Sequence, residues 1–588
     1  MLTNTGENRR RFLTYFSGIG LGSSLLPGVL WAEMQDAAPE SRVTDDMLKN
    51  ALAVAGLTFS DEDRKAVLQG VNRSLTSFEE VRKIEIPNDV APPFYFSPIV
   101  PGMKVNRTRE PLRFSAPVVK RPANIEDVAF WPVVQLSQLL KTRQITSLEL
   151  TEMYLARLHK YNPKLNCVVT FLDDVARAQA KQADSEIAAG KYKGPLHGIP
   201  WGAKDIIAVK GYKTTWGSAA YKEQMIPNDA SVVEMLRDAG AVLLAKLTSG
   251  ELAQGDQWFG GRTNNPWNLE QGSSGSSAGP GSATAAGCVA FAIGTETSGS
   301  ILSPSGRCGV TGLRPTFGRV SRHGVMALSW TQDRLGPMCR YAEDCAMVMS
   351  IIAKPDGQDL SVSEIPFNWN AHLDIKKLRV GYLKDGFDEV RDAPAKALND
   401  KAIEQVRSLG FKLVEVKMPD WSQDGSSYGV ESAVFFDELI RTNRDKQLTN
   451  PGRATGFRSA RLIPAVEYLQ SQRVRTMMMM KLAEATADVD VYLVPANGGG
   501  GGGGRGRGAT EGRGAVNPQP RSVTQRHFSM ANTACYPAIN VVHGFMEGGT
   551  PGSFTFYARP FGEAELLAVA KAYQDATGFH LKHPTLPA

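Results

Sequence analysis

Among its six cysteines the chain has no CxxC pair, among its eight histidines no HExxH pair, and none of its glycine-rich stretches ends in Gly-Lys-Ser/Thr. Each absence removes a class of chemistry. Cys167, Cys288, Cys308, Cys339, Cys345 and Cys535 lie far apart, which excludes a zinc ribbon and a small disulfide scaffold. Without HExxH, and with no carboxylate cluster at metal-ligand spacing, a metallohydrolase is not expected, and no metal or cofactor is called for. Without the P-loop ending, nucleotide binding has no support. Long apolar runs are scarce as well. The best candidate, Tyr15 to Trp31, is broken by Gly18, Gly20, Gly22 and Pro27 and is short for a membrane span. Strong charge of one sign is also missing: the formal net charge is +6 on 588 residues, with basic residues scattered, so neither nucleic acid nor a membrane surface is implied as partner. What remains is 42% hydrophobic, enough for a large folded core.

Asn8-Arg9-Arg10-Arg11-Phe12-Leu13 precedes the short apolar run, so residues 1–32 read as a twin-arginine-like export signal. A periplasmic or exported location is the expectation, with a cytoplasmic or N-terminally anchored protein as the alternative. Residues 33–125 read as a helical extension and Pro-rich linker. Helical spacing covers residues 42 to 82, and Pro87, Pro92, Pro93, Pro98 and Pro101 then mark an extended strap that wraps the domain beyond it.

From residue 126 onward helical patterns alternate with short β-rich runs. Val133 to Lys160 and Asp173 to Ala189 have helical spacing, and Thr146 with Glu149 fits a capping box. Strands are expected at Ile206 to Val209 and Ala241 to Leu244, with the helix Ser231 to Ala239 between them. Further on, Arg379 to Leu383 and Phe411 to Val416 read as strands flanking a helix from about Pro394 to Leu409, and Asp490 to Pro495 as another strand. Such alternation predicts a layered α/β domain. Met477 to Met480 reads as core or, alternatively, as an adaptable channel wall. Residues 497–516 carry glycine and arginine repeats without an aromatic residue, and read as a flexible surface loop that could overhang a site.

Chemistry concentrates between Gly275 and Pro304. Two clusters of small polar residues, Gly275-Ser276-Ser277-Ala278-Gly279 and Thr297-Ser298-Gly299-Ser300, flank an apolar run. Successive N–H groups in tight turns make concave sites for negative charge, and a serine there is either turn chemistry or a nucleophile. Lys204, set between apolar residues and Ile206-Ile207, is placed where burial can turn an amine into a base. Gly275 to Gly279 also fits Gly-x-Ser-x-Gly, but the polar residues before it do not read as the strand an α/β-hydrolase elbow needs. His197 and His323 read as structural.

At these residues the chain resembles the amidase signature family of serine hydrolases. Ser147-Leu148-Glu149-Leu150, the segment Gly194 to Asp205, Asn265-Pro266-Trp267, the serine-rich stretch, Cys308 to Thr316, and Ala558 to Glu563 keep the family's order over roughly residues 126–588. The resemblance implies a mixed β-sheet sandwiched between α-helices, with the N-terminal helical part as an extension. It also implies a Ser-Ser-Lys triad with Ser300 as nucleophile, Ser276 as bridging serine and Lys204 as base. Ser276 precedes Ser300 by the family's interval of 24 residues, whereas Ser273 in the look-alike Gly272-Ser273-Ser274-Gly275 precedes it by 27. Backbone N–H groups of Thr297, Ser298, Gly299 and Ser300 would form an oxyanion hole, with Ser277 also on the substrate-binding side. Besides Glu296 in place of the aspartate, two positions depart from the family's Asp-x-Gly-Gly-Ser-x-Arg: Ser298 stands where glycine is usual, with a side chain expected to crowd the turn, and Leu302 replaces the arginine, for which Arg307 or a neighbouring group is the expected substitute. The implied function is hydrolysis of the C–N bond of an amide other than protein backbone. The alternatives are the amidase subunit of a glutamine-dependent tRNA amidotransferase, or a non-catalytic binding protein retaining the fold. A small-molecule amide is the expected partner, without nucleic acid or stable membrane insertion, and a homodimer is left open.

Overall fold

The structure is a computed structural model that describes residues 42–54, scattered positions from 56 to 68, and residues 96–421, 428–460, 463–496 and 521–587. The export-like segment and the Gly/Arg-rich loop lie outside the described residues, as does most of the second N-terminal helix. The chain divides into two compact units, Met1–Pro87 with Arg458–Gln470, and Asn88–Phe457 with Ser471–Ala588. In the first unit the helix Asp45–Val54 starts on two acidic residues, which suit the positive end of the helix dipole, and buries Leu48, Ala51 and Leu52. Arg64 Nε pairs with Asp45 at 3.1 Å.

Among the described residues fifteen strands run through the second unit: β1 Val168–Phe171, β2 Pro200–Lys204, β3 Val242–Leu247, β4 Gln257–Trp258, β5 Gly261–Arg262, β6 Asn264–Asn265, β7 Asn268–Gly272, β8 Phe291–Glu296, β9 Thr311–Arg314, β10 Arg334–Cys339, β11 Val380–Tyr382, β12 Val414–Glu415, β13 Val491–Pro495, β14 Ala538–Phe545 and β15 Pro551–Ala558. Eleven of them form one sheet in the order β1-β3-β2-β8-β10-β9-β14-β15-β13-β11-β12. Strands β3, β2 and β8 are mutually parallel, as are β13, β11 and β12. The remaining neighbours are antiparallel, which makes the sheet mixed. Strands β2, β3, β8, β10 and β13 are buried at every position, as strands covered by helices on both faces must be.

Local signals explain several boundaries. The periodic stretch from Val133 divides into helices Val133–Lys141 and Ser147–Leu165, because Thr146 and Glu149 close a reciprocal capping box that starts the second. Asp392 caps the helix Ala393–Ser408, and Gly410 beyond its end takes φ +97, where a glycine carries no Cβ penalty. One expectation is displaced: β2 ends at Lys204, and Ile206 to Val209 supplies only the isolated bridge Ile207–Val325. A short polar strand, β7, does precede Gly275, but it pairs only with β6 in a ribbon outside the main sheet.

Residues 96 to 122 run as an irregular strap across the second unit. Arg113 bridges to Asn370, Ser115 N–H donates to Glu343 at 2.7 Å, and the guanidinium of Arg475 stacks on Phe96 at 3.7 Å. Met478 and Met479 are buried in the core, whereas Met477 and Met480 are exposed. The methionine run is therefore one side of a packed helix. All six cysteines are buried and free. No helix among the described residues is long and apolar enough to cross a membrane.

Candidate active site

Because β2 and β8 are parallel neighbours, with Ala203 opposite Ile293, their C-terminal ends emerge on the same edge of the sheet. That register puts Lys204 beside Thr295 and the turn Thr297–Ser300 just beyond it. Lys204 Nζ lies 2.8 Å from Thr295 Oγ1, 2.9 Å from Ser276 Oγ and 3.2 Å from Ser277 Oγ. Ser276 and Ser277 arrive at the head of the helix Ala278–Ala285, whose small residues are all buried. Close approach demands them: a Cβ on Gly275 would stand 1.8 Å from Gly255 O. The Gly275–Ser276 peptide is cis. Ser273 is turned elsewhere, its hydroxyl donating to Ser274 C=O.

Ser300 is brought to this group through the main chain, by Ser277 N–H donating to Ser300 C=O at 3.1 Å. Its side chain is half-buried, and its hydroxyl makes no hydrogen bond among the described residues, to Ser276 or to any other. The N–H groups of Thr297, Ser298, Gly299 and Ser300 are likewise unengaged by any described residue, whereas those of Ile301 and Leu302 both donate to Glu296 Oε2, at 2.8 and 3.0 Å. Four successive free donors, with Gly299 at φ +85, make a cradle able to stabilise an oxyanion.

Electrostatics at the site are set by burial. Lys204 is fully buried, and loss of water pushes its pKa down to about 7 against a smaller opposing pull from Asp333 and Glu296. Burial pushes Glu296 up, but Arg314 and Arg334 outweigh it and hold its carboxylate below the ordinary value. Arg314 pairs with Glu296 at 2.9 Å, both fully buried. Asp333 is raised by burial against hydrogen bonds from Thr297 Oγ1 at 2.5 Å and the N–H groups of Leu328 and Ser329. Behind the base, Asp205 is matched by Lys246 at 2.7 Å.

Two expectations need correction and a third is narrowed. Ser277 offers no donor to a substrate: it is fully buried, its N–H is spent on Ser300, and its hydroxyl is clamped between the N–H and C=O of Thr295 at 3.1 Å each. At the turn that lacks an arginine at Leu302 the cation present is Arg334, 2.7 Å from Thr297 C=O, while Arg307 Nη1 donates to Gln271 Oε1 at 3.1 Å. Ser298 does not crowd the turn, since its side chain is exposed and the left-handed conformation falls on Gly299 alone.

Sequence reasoning missed Thr295, Asp333, Arg334, Asn532 and Phe528. Arg334 Nη2 donates to Thr297 C=O at 2.7 Å and to Asn532 Oδ1 at 3.1 Å, and Arg314 shares the same Asn532 oxygen at 2.8 Å. An acid and a base leading into the buried run Leu335 to Cys339 were the available signal. Phe528 reaches the turn from the helix Val523–Thr533, where its ring would lie 3.0 Å from a Cβ on Gly299. Nothing in its sequence surroundings marks it.

Comparison with known proteins gives the same frame. The family model described as Amidase matches residues 149–567. The A-type subunit of the glutamyl-tRNA(Gln) amidotransferase of Methylococcus capsulatus is 33% identical over 485 residues, 77% of this chain and 98% of that protein. Its namesake from Roseiflexus castenholzii is 34% identical over 491 residues, covering 77% and 97%. Among solved structures, the native peptide amidase from Stenotrophomonas maltophilia superposes with a TM-score of 0.66 at 28% identity, over 79% of this chain and 99% of that one.

Proposed function

The chain belongs to the amidase (amidase signature) family, and from that premise we propose that it cleaves the C–N bond of amides through an acyl-enzyme on Ser300. The observation that carries this reading is a fully buried lysine with its pKa near 7, 2.9 Å from Ser276 Oγ, at the edge of four unengaged N–H groups. A neutral amine has two hydrogens and one lone pair. Thr295 Oγ1 and Ser277 Oγ can take the hydrogens, at 2.8 and 3.2 Å, which leaves the lone pair for the proton of Ser276. In the proposed cycle Ser276 Oγ gives its proton to Lys204 and takes the proton of Ser300, whose oxygen bonds to the carbonyl carbon. The carbonyl oxygen becomes the oxyanion in the cradle of residues 297–300. As the C–N bond breaks, the proton returns through Ser276 to the leaving nitrogen, and water then hydrolyses the ester on Ser300 by the same relay.

A serine-directed fluorophosphonate tests the assignment. We expect mass spectrometry to find the adduct on Ser300, with no labelling of Ser300→Ala, and a panel of amides and esters to be turned over. Absence of both labelling and turnover would favour a binding protein that retains the fold.

A second reading has its own support, because relatives at 33 and 34% identity bear the name of an amidotransferase subunit, against 28% for the peptide amidase. On that reading the chain takes its amide nitrogen from glutamine and works beside partner subunits. Glutamine hydrolysis that appears only on adding such subunits would decide for it; turnover of simple amides by the purified chain alone would decide against it. Export through the twin-arginine-like segment belongs with the first reading, and cell fractionation checks it.

A further inference from the structure

Three of the four carbonyls of the Thr297–Ser300 turn are clamped from behind by described residues, all but that of Ser298. Gly299 C=O accepts from Ser303 N–H at 2.8 Å, and Ser300 C=O accepts from Ser277 N–H at 3.1 Å. Thr297 C=O is held by a charged side chain instead, at 2.7 Å from Arg334 Nη2. A trans peptide is planar, with its C=O and N–H pointing in opposite directions. A clamp on the carbonyl of residue i therefore fixes the direction of the N–H of residue i+1. Arg334 on Thr297 fixes Ser298 N–H, and Ser303 on Gly299 fixes Ser300 N–H, two of the four donors that no described residue engages.

Arg334 is itself braced. It is 2% exposed, its Nη1 donates to Asn532 C=O at 3.3 Å, and its Nη2 reaches Asn532 Oδ1 at 3.1 Å. Arg314, between Glu296 and Asn532, completes the group. Burial lowers Arg334 to about 10, which leaves it cationic at neutral pH. Among amidase signature chains the usual cation of this turn lies two residues after the nucleophile, and here that position is Leu302. The carboxylate the turn folds around, Glu296, is retained, and Ile301 and Leu302 meet it through backbone N–H groups alone.

We propose that Arg334 supplies the cation of the oxyanion turn, where Leu302 carries none, and acts as a positioning residue: by holding Thr297 C=O it aims Ser298 N–H at the oxygen of the substrate carbonyl. The inference rests on the amidase reading above. It assigns to Ser298, the position where the family has glycine, a working backbone donor whose orientation depends on a side chain from the neighbouring strand.

Arg334→Gln and Arg334→Lys, each alone and with Leu302→Arg, test it on an amide the wild-type chain turns over. Removing a donor from an oxyanion site costs about 10²–10³-fold in kcat, and misaiming one should cost on the order of 10–100-fold. We expect Arg334→Gln to lose that much kcat with KM changed less than about threefold, Arg334→Lys to lose less, and Leu302→Arg to restore part of the loss. An unchanged kcat, or equal losses in kcat and affinity that Leu302→Arg does not relieve, overturns the proposal. A crystal structure of Arg334→Gln, or of Asn532→Ala should the first variant not fold, gives a readout independent of activity: the Thr297–Ser298 peptide should rotate or lose order, and an unmoved peptide refutes the role. A wild-type chain that turns over no amide and takes no label at Ser300 would instead remove the amidase reading, leaving the structural arm to judge the clamp.

Discussion

Replacing Lys204 with methionine isolates the base, and the size of its effect follows from its burial. In the unfolded chain the amine keeps its proton up to the ordinary lysine value of 10.5, whereas in the folded protein it loses it near 7. Between those values the unfolded state binds one more proton than the folded state, so stability rises with pH by about 1.36 kcal/mol per pH unit. Over the whole window the gain approaches about 5 kcal/mol, an upper bound on the same basis. Below pH 7 the contribution is flat and at its most unfavourable. Methionine has no such window. It also deprives the hydroxyls of Ser276, Ser277 and Thr295 of one partner each, at about 1–3 kcal/mol for any left unsatisfied. The order of the two proteins at pH 7 is therefore not diagnostic, and the slope is. Urea unfolding from pH 6 to 10 should show the wild-type free energy climbing relative to Lys204→Met by several kcal/mol, with the rise confined above pH 7. In kinetics kcat/KM should climb about tenfold per pH unit below roughly pH 7 and level off above it, and any residual activity of Lys204→Met should lack that limb. A stability difference that is flat between pH 7 and 10, or an acid limb that survives the substitution, would refute the argument that burial makes this lysine a base.

Two further outcomes test the groups around it. Asp333→Asn removes a negative charge that raises the pKa of Lys204, so the acid limb of kcat/KM should move to lower pH. A limb that stays in place or moves upward would show that Asp333 is not felt at the amine. Gly299→Ala puts a Cβ at φ +85, 3.0 Å from the ring of Phe528 and from Ser303 Oγ, which should cost about 1–2 kcal/mol of stability with a disproportionate loss of kcat. Thermal melts and steady-state rates together check it, and unchanged kcat would mean that the turn does not need its left-handed residue.

Much of the fold could be read from local signals because those signals are local in cause. The capping box at Thr146 and Glu149, the proline and glycine bounding Ala393–Ser408, and the apolar run of β13 each reflect interactions within a few residues. The strand assigned to Ile206–Val209 shows the limit. Its β-branched residues carry strand propensity, yet the strand is the preceding Pro200–Lys204, because pairing with β3 and β8 is decided by partners about 40 and 90 residues away. Composition gave no hint of that register.

The same division runs through the site. Lys204, Ser276 and Ser300 stand in segments whose residue types are unusual enough to be noticed alone, and their spacing along the chain carries information about the family. The groups that make their chemistry feasible have no such signature, since each matters only through what it faces. Lys204 is pulled toward its charged form by Asp333 and Glu296 and away from it by burial, and burial is the larger effect. Glu296 is neutralised by Arg314 and Arg334 rather than by the lysine, and Asp205 is matched by Lys246. Asp333 is occupied by Thr297 and two backbone N–H groups. The lysine stays uncharged because burial outweighs the pull of Asp333 and Glu296, while Arg314 and Arg334 offset Glu296, Lys246 offsets Asp205, and hydrogen bonds hold Asp333 in place. Those partners come from strands β3, β9 and β10 and from the loop between Leu328 and Asp333. The base therefore depends on how the sheet assembles these elements around one edge, which is why the lysine was legible in the sequence and its partners were not.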